Sequence, residues 1–171
     1  DHREFPRQKM VVLLRYWPVL DAKDPPRYVM FFRVPSKTNE PYSGRQLAGA
    51  AVLEFVSGLS AYRDNPAEAL RFAGKHLDHA DPHVAEEAFL VFARGDDKVI
   101  AQMAKDLSPQ MLRKLVKTPD LEPERLSMFA YLLGACGDAG DVELMRSLLK
   151  NPAPRLFRAY EGILAGYIML Q

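Results

Sequence analysis

His76, His79 and His83 fall within one stretch of eight residues, with Asp78 and Asp81 among them. Imidazole and carboxylate together are the donor set of zinc and similar ions. His76 and His79 are three apart, so a helix there places them on one face. A site of this kind would serve a metal-dependent hydrolase. However, His83 follows an Asp81-Pro82 turn, which aims it independently of the other two. Asp81 also stands where a helix N-cap belongs. No His-Glu-x-x-His spacing occurs. The cluster is read first as a solvated turn, and the metal hydrolase as an alternative.

The other residue types capable of chemistry have plainer readings. Asp96-Asp97 and the segment Asp138 to Asp141 are acidic turns that precede helical patterns. Carboxylates there favour the positive end of the helix dipole, so they are expected to cap. Ser57, Ser60, Ser108, Ser127 and Ser147 lie in no Gly-x-Ser-x-Gly context. Gly134, Gly137 and Gly140 follow a helical pattern rather than a strand, so they read as helix-end punctuation, not a phosphate loop. Cys136 is the single cysteine. It allows no intrachain disulfide and no cysteine zinc site, and is expected to be a small packed residue at a helix end. Met103, Met111, Met128 and Met145 fall on apolar faces, as core filler does.

Charge narrows the classes further. Lysine and arginine total 23 against 22 acidic residues, a formal net charge of +1. That leaves no long-range attraction toward nucleic acid or an anionic membrane. Basic residues recur at Arg63, Arg71, Lys75, Lys105, Arg113, Lys114, Lys117, Arg146, Lys150, Arg155 and Arg158, but acidic residues are interleaved among most of them. A nucleic-acid-binding module is therefore a second reading. With 48% apolar residues, 171 residues suffice for one real core, and intrinsic disorder is excluded by composition. No run of about 18 residues lacks charge, so no membrane-spanning helix is expected.

Two periodicities position these residues. Lys9 to Trp17 and Arg27 to Val34 are short, apolar and rich in β-formers, each closed by proline. With the turn-rich Asp21 to Pro26 between them they predict a β-hairpin. Ser36 to Gly44 reads as a polar loop. From about Arg45 the period becomes helical: Leu47, Ala50, Ala51, Val52, Phe55, Val56, Leu59 and Tyr62 match an i, i+3, i+4 face. Helix starts follow at Asn65-Pro66, Asp81-Pro82, Asp97, Ser108-Pro109, Glu122-Pro123, Asp141 and Pro154. The last pattern, Leu156, Tyr160, Ile163, Tyr167 and Leu170, predicts one buried face from 155 to 171. The chain opens Asp1-His2-Arg3 without Met and closes on an apolar run, which reads as a piece of a longer polypeptide.

Three passages share one grammar: a short amphipathic helix, a turn holding proline, then a longer helix. Their prolines are Pro82, Pro123 and Pro154. One such hairpin cannot bury both of its apolar faces, but stacked neighbours can. The passage Leu77-Asp78-His79-Ala80-Asp81-Pro82-His83-Val84-Ala85-Glu86-Glu87-Ala88 resembles a HEAT-type repeat, over roughly residues 64 to 171. The stretch between Gly95 and Glu122 departs from a plain repeat by an inserted short helix. Tyr28-Val29-Met30-Phe31-Phe32, Pro41-Tyr42-Ser43-Gly44 and Gly162-Ile163-Leu164-Ala165-Gly166-Tyr167 together are similar to a group of bacterial proteins with a β-rich segment before the helices. That resemblance implies an exported, periplasmic setting and no activity; without it a cytoplasmic one stands. HEAT-like DNA glycosylases place a tryptophan in their groove, whereas Trp17 here precedes the repeats.

The expectation is a mainly α protein: an α-α superhelix of HEAT-like hairpins, about seven or eight helices, after a short N-terminal β-hairpin. The hairpin and loop occupy residues 1–44 and the array 45–171. The expected role is a non-enzymatic scaffold or protein-protein interaction module with a protein partner. No residue is assigned as catalytic, cofactor-binding or metal-ligating, and no small-molecule cofactor is expected. Contacts would come from exposed positions of the second helices, such as Glu86, Arg94, Arg125, Arg155 and Arg158.

Overall fold

A computed structural model describes the backbone of residues 27–32 and 41–47, and residues 49–150 and 153–171 in full except for the Arg155 side chain. The chain divides into two compact units, Asp1–Leu53 and Glu54–Gln171. In the first, β1 (Arg27–Phe32) pairs antiparallel with β2 (Pro41–Leu47), from Arg27 opposite Leu47 to Phe32 opposite Pro41. The register slips between Phe31 and Phe32. The expected first strand, Lys9 to Trp17, lies outside the described residues. Pro41 to Gly44 is strand rather than loop, and Arg45 to Leu47 finish that strand rather than open a helix. Proline is tolerated as the first residue of a strand. Beyond it, backbone pairing with β1 overrides the weak strand propensity of Ser43 and Gly44.

The described chain is mainly helical. After α1 (Ala50–Ser60) come α2 (Pro66–Gly74), α3 (Pro82–Ala93), α4 (Asp97–Met103), α5 (Pro109–Val116), α6 (Pro123–Cys136), α7 (Asp141–Leu149) and α8 (Tyr160–Met169). Proline opens α2, α3, α5 and α6, where its missing N–H costs nothing. The orphan donors of the first turns are met by side chains. Asn65 accepts from the Glu68 N–H at 3.2 Å, Asp81 from His83 at 2.9 Å, Asp96 from Lys98 at 2.9 Å and Ser108 from Met111 at 3.3 Å. Short 3-10 turns follow α4 (Ala104–Asp106) and precede α8 (Pro154–Ala159). The last helical pattern is thus split into two geometries. Even so, its predicted face is the covered one: Leu156 and Ile163 are buried, and Tyr160, Tyr167 and Leu170 are half-buried.

In the second unit α2 packs on α3 and α4, α5 on α6, and α7 on α8, with the most extensive contact between α6 and α8. Phe92, Phe129, Leu77, Leu112, Leu132, Leu133, Met145 and Ile163 are fully buried there. The α6–α8 contact is made through small residues. Ser127, Ala130 and Gly134 on α6 face Gly162 and Gly166 on α8. A Cβ on Gly162 would overlap the Ser127 carbonyl, and one on Gly166 the Ala130 carbonyl. The Gly162 N–H, in the first turn of α8, donates to Ser127 Oγ at 3.2 Å. Gly134 is therefore a close-approach residue inside α6, not the helix-end punctuation its sequence context suggests. Gly137 does end that helix.

Candidate functional site

The histidines do not converge. His76 sits half-buried against the rings of Phe72 (centroids 4.7 Å) and Phe55 (5.2 Å). Its Nδ1 lies 2.9 Å from the Phe72 carbonyl. A carbonyl only accepts, so this nitrogen carries the proton. His79 Nδ1 instead accepts from the Asp81 N–H at 3.0 Å, so its lone pair is committed. His83 is exposed on the first turn of α3, and Asp81 caps that helix as expected. Among the described residues no group of three or more His, Cys, Asp and Glu is placed to hold a metal ion.

The acidic turns separate into two kinds. Asp96 caps α4 through Lys98 and Val99. Asp141 does not cap α7, contrary to its reading from sequence. Its carboxylate, 4% exposed, takes Arg113 Nε at 2.6 Å, a terminal Arg113 nitrogen at 2.8 Å and the Asp138 N–H at 3.0 Å. The same guanidinium reaches Asp138 at 2.7 Å, and Asp138 in turn accepts from the Gly140 N–H at 2.8 Å. A bidentate arginine is the strong form of this interaction. Arg113 holds the Asp141 carboxyl below its ordinary range, mainly by that hydrogen bonding. The same fork raises the guanidinium, which stays charged throughout. Cys136, at the end of α6, is half-buried rather than fully packed. Burial first, and then the Asp141 charge, push its thiol up, while Arg113 pulls it back in part. That is the opposite of what a reactive thiol needs.

The basic residues are largely neutralised in place. Arg63 pairs with Asp64, Arg71 with Glu68 and Asp106, Lys114 with Asp78, Arg146 with Glu143 and Arg158 with Glu124. Of the expected contact positions, Arg94 and Arg158 are exposed and Glu86 is half-exposed. The Arg155 side chain lies outside the described residues. Arg125 is not exposed: its side chain is 16% accessible, with the guanidinium over the rings of Phe89 and Phe129 at 5.6 and 5.7 Å. Its terminal nitrogen faces Glu86 at 3.5 Å. Stacking on two aromatics draws in the long side chain that its sequence position leaves outside.

Hollows large enough to receive a group occur among the described residues of the second unit, and two of them exceed about 300 Å³. One, of about 350 Å³, lies between α2, the turn after α4 and the start of α5, with Tyr62, Phe72, Met103, Leu107 and Met111 in its walls. The other, of about 360 Å³, lies where α4, α6 and α8 begin, with Asp97, Glu124 and Glu161 around Met128 and Tyr131. The first is chiefly apolar. In the second each carboxylate belongs to the first turn of its helix, where it answers the dipole.

The last surface is one that sequence periodicity left unmarked. Phe157 is 60% exposed, Leu164 48%, Ile168 64% and Met169 46%. Leu164 and Ile168 are one turn apart on the side of α8 away from Gly162 and Gly166. The stripe 156-160-163-167-170 drew attention to the covered face, and the uncovered one is almost as apolar. A scan of family models, a search of curated proteins and a search of solved structures each find no match to this chain.

Proposed function

We propose that the chain is a non-enzymatic scaffold, a protein-protein interaction module built as a short HEAT-like array. Its helical hairpins give the array reading its support. The pairs α5/α6 and α7/α8 pack within themselves, and α6 packs on α8. The Arg113 fork joins α5 to the start of α7, and Arg125 joins α6 to α3 through Glu86 and Phe89. In this reading α5 is joined to α7, and α6 to α8 and to α3, as first and second helices of successive hairpins, and α4, which packs on α2, is the inserted element. This is the arrangement in which each hairpin covers a face its neighbour cannot cover alone.

The observation that carries the interaction role is the exposed apolar side of α8. Leu164 and Ile168, one turn apart, with Phe157 and Met169 exposed before and after them, leave apolar area that water disfavours and a partner covers with gain. A photoreactive phenylalanine analogue at position 168, in the full chain and in the cells that make it, tests this. Discrete protein adducts are expected at 168, lost when Leu164→Glu is added, and absent from a control at exposed Lys105. Adducts equal at 168 and 105, or none at 168, would overturn the reading.

A further inference from the structure

The apolar side of α8 does not end in neutral surface. Glu161, Leu164 and Ile168 follow one another at spacings of three and four, so they share one side of the helix. Glu161 and Ala165, the residue after Leu164, also line the hollow of about 360 Å³ where α4, α6 and α8 begin. The exposed Leu164 and Ile168 therefore lead directly into that hollow.

Charge in the hollow is one-sided. Asp97, Glu124 and Glu161 line it, and among the described residues no lysine or arginine does. Each carboxylate stands in the first turn of its helix, but a helix end carries only about half a charge and does not neutralise it. Arg158 pairs with Glu124. Asp97 and Glu161 are exposed and have no ion-pair partner among the described residues. Half-buried Met128 and Tyr131 add apolar wall, the kind of surface that the stem of a long basic side chain covers. An apolar ridge that leads into an acidic hollow is complementary to a segment of the reverse make-up, with leucine-like residues one turn apart and lysine or arginine beside them. The same carboxylates repel an anionic lipid surface. Resting on the reading of α8 as an interaction surface, we propose that its partner is a basic amphipathic helix, with its apolar face on Leu164 and Ile168 and its cations at Asp97 and Glu161.

The probe is a synthetic peptide of about 18 residues, long enough to be helical in water, with leucine on one face and lysine on the other. It is titrated into the full chain carrying ¹³C-labelled methionine methyl groups. Saturable shifts are expected at Met128 in the hollow and Met169 at the end of α8, with Met111 in the other hollow unmoved. Glu161→Gln and Asp97→Asn should each weaken binding by about threefold, the scale of one exposed ion pair. Glu54→Gln, an exposed carboxylate on α1, should not change it. A twin peptide with glutamate for lysine should bind at least about tenfold more weakly. Equal binding of the twins, or an equal loss in Glu54→Gln, would overturn the proposal, as would absence of shifts up to millimolar peptide. So would a preference of the chain for vesicles of phosphatidylserine and phosphatidylcholine over the lysine peptide, which would point to a lipid surface. Protein adducts at 168 retained in any of these cases would leave the interaction surface standing without its basic partner. The variants alter exposed side chains, and an unmoved signal from buried Met145 reports an intact core.

Discussion

Two junctions hold successive hairpins of the second unit together, and they do so by opposite means. Between α6 and α8 the contact is made by small residues: Ser127, Ala130, Gly134, Gly162 and Gly166 bring two backbones together. Between α5 and the start of α7 it is made by charge: Arg113 grips Asp141 and Asp138. The first gains from dispersion over a close fit, which fails sharply when one methyl is added. The second gains from directed hydrogen bonds, which fail when a partner is removed or protonated. A methyl group should break the first junction and leave the second intact, and acid should do the reverse.

The largest effect is expected at Gly162. Replacing glycine by alanine inside a helix ordinarily stabilises by about 1 kcal/mol. Here the added Cβ overlaps the Ser127 carbonyl, and a backbone atom cannot swing away. Gly162→Ala should therefore destabilise by about 2 kcal/mol, and Gly162→Val by about 3 kcal/mol or more. Urea unfolding of each variant checks this, with Leu164→Ala on the outer side of the same helix as the reference. That reference should stay within about 0.5 kcal/mol of wild type. A stabilising Gly162→Ala would mean that the helices do not approach so closely.

Next in size is the loss of the clasp. Asp141→Ala removes the acceptor of two guanidinium hydrogen bonds and of the Asp138 N–H. The guanidinium left behind is partly open to water, which softens the loss, so about 1 to 2 kcal/mol is expected. Thermal unfolding should show it. The effect should add independently to that of Gly162→Ala, because the two junctions share no partner. Strong coupling between them would show one continuous core rather than two separate seams.

Both junctions were hard to see in the sequence, and for different reasons. Helix positions were legible, because Pro66, Pro82, Pro109 and Pro123 follow cap residues and the apolar period fills the space between. Gly134 was not, since glycine near a helical stretch usually ends it, and only the facing Gly166 shows that it lies inside. The Gly162-to-Gly166 spacing was present in the chain, but spacing alone does not name the partner helix. Asp141 has the residue type and position of a cap, and what draws it away is an arginine 28 residues earlier. In the same way Arg125 has the pattern of an outward position, until Phe89 on another helix supplies a ring. The histidines show the converse: their types alone suit a shared site, but the Asp81-Pro82 turn already argued against it, and local hydrogen bonds to Phe72 and Asp81 hold His76 and His79 apart in role. Local grammar was readable throughout, whereas pairings set by the meeting of distant helices were not.

Acid separates the junctions without a large perturbation. The Asp141 carboxyl is depressed in the folded chain. Its contribution is complete above the unfolded value, about 3.9, and is lost as pH falls through the lower folded value. The stability gap between wild type and Asp141→Asn should thus stay constant from neutral pH down to about 5 and narrow below about 4. The gap between wild type and Gly162→Ala should not narrow in that way, since the overlap with the Ser127 carbonyl is steric and does not titrate. Denaturant midpoints at a series of pH values check both. Parallel behaviour of the two variants would show that Asp141 is not the group whose protonation loosens the second junction.

The smallest effect uses Cys136 as a reporter beside the clasp. Its thiol is raised by burial first and by the Asp141 charge second. Alkylation by iodoacetamide near pH 8 should therefore be slower than that of a free cysteine. Asp141→Asn removes the second cause and leaves the first, so the apparent thiol value should fall. The rate should rise by about twofold, the scale of one screened charge near a partly exposed group. A much larger rise would mean that α6 and α7 part when the clasp is cut, because only relief of burial could expose the thiol so far. The size of this rate change therefore separates a clasp that merely charges its surroundings from one that closes them.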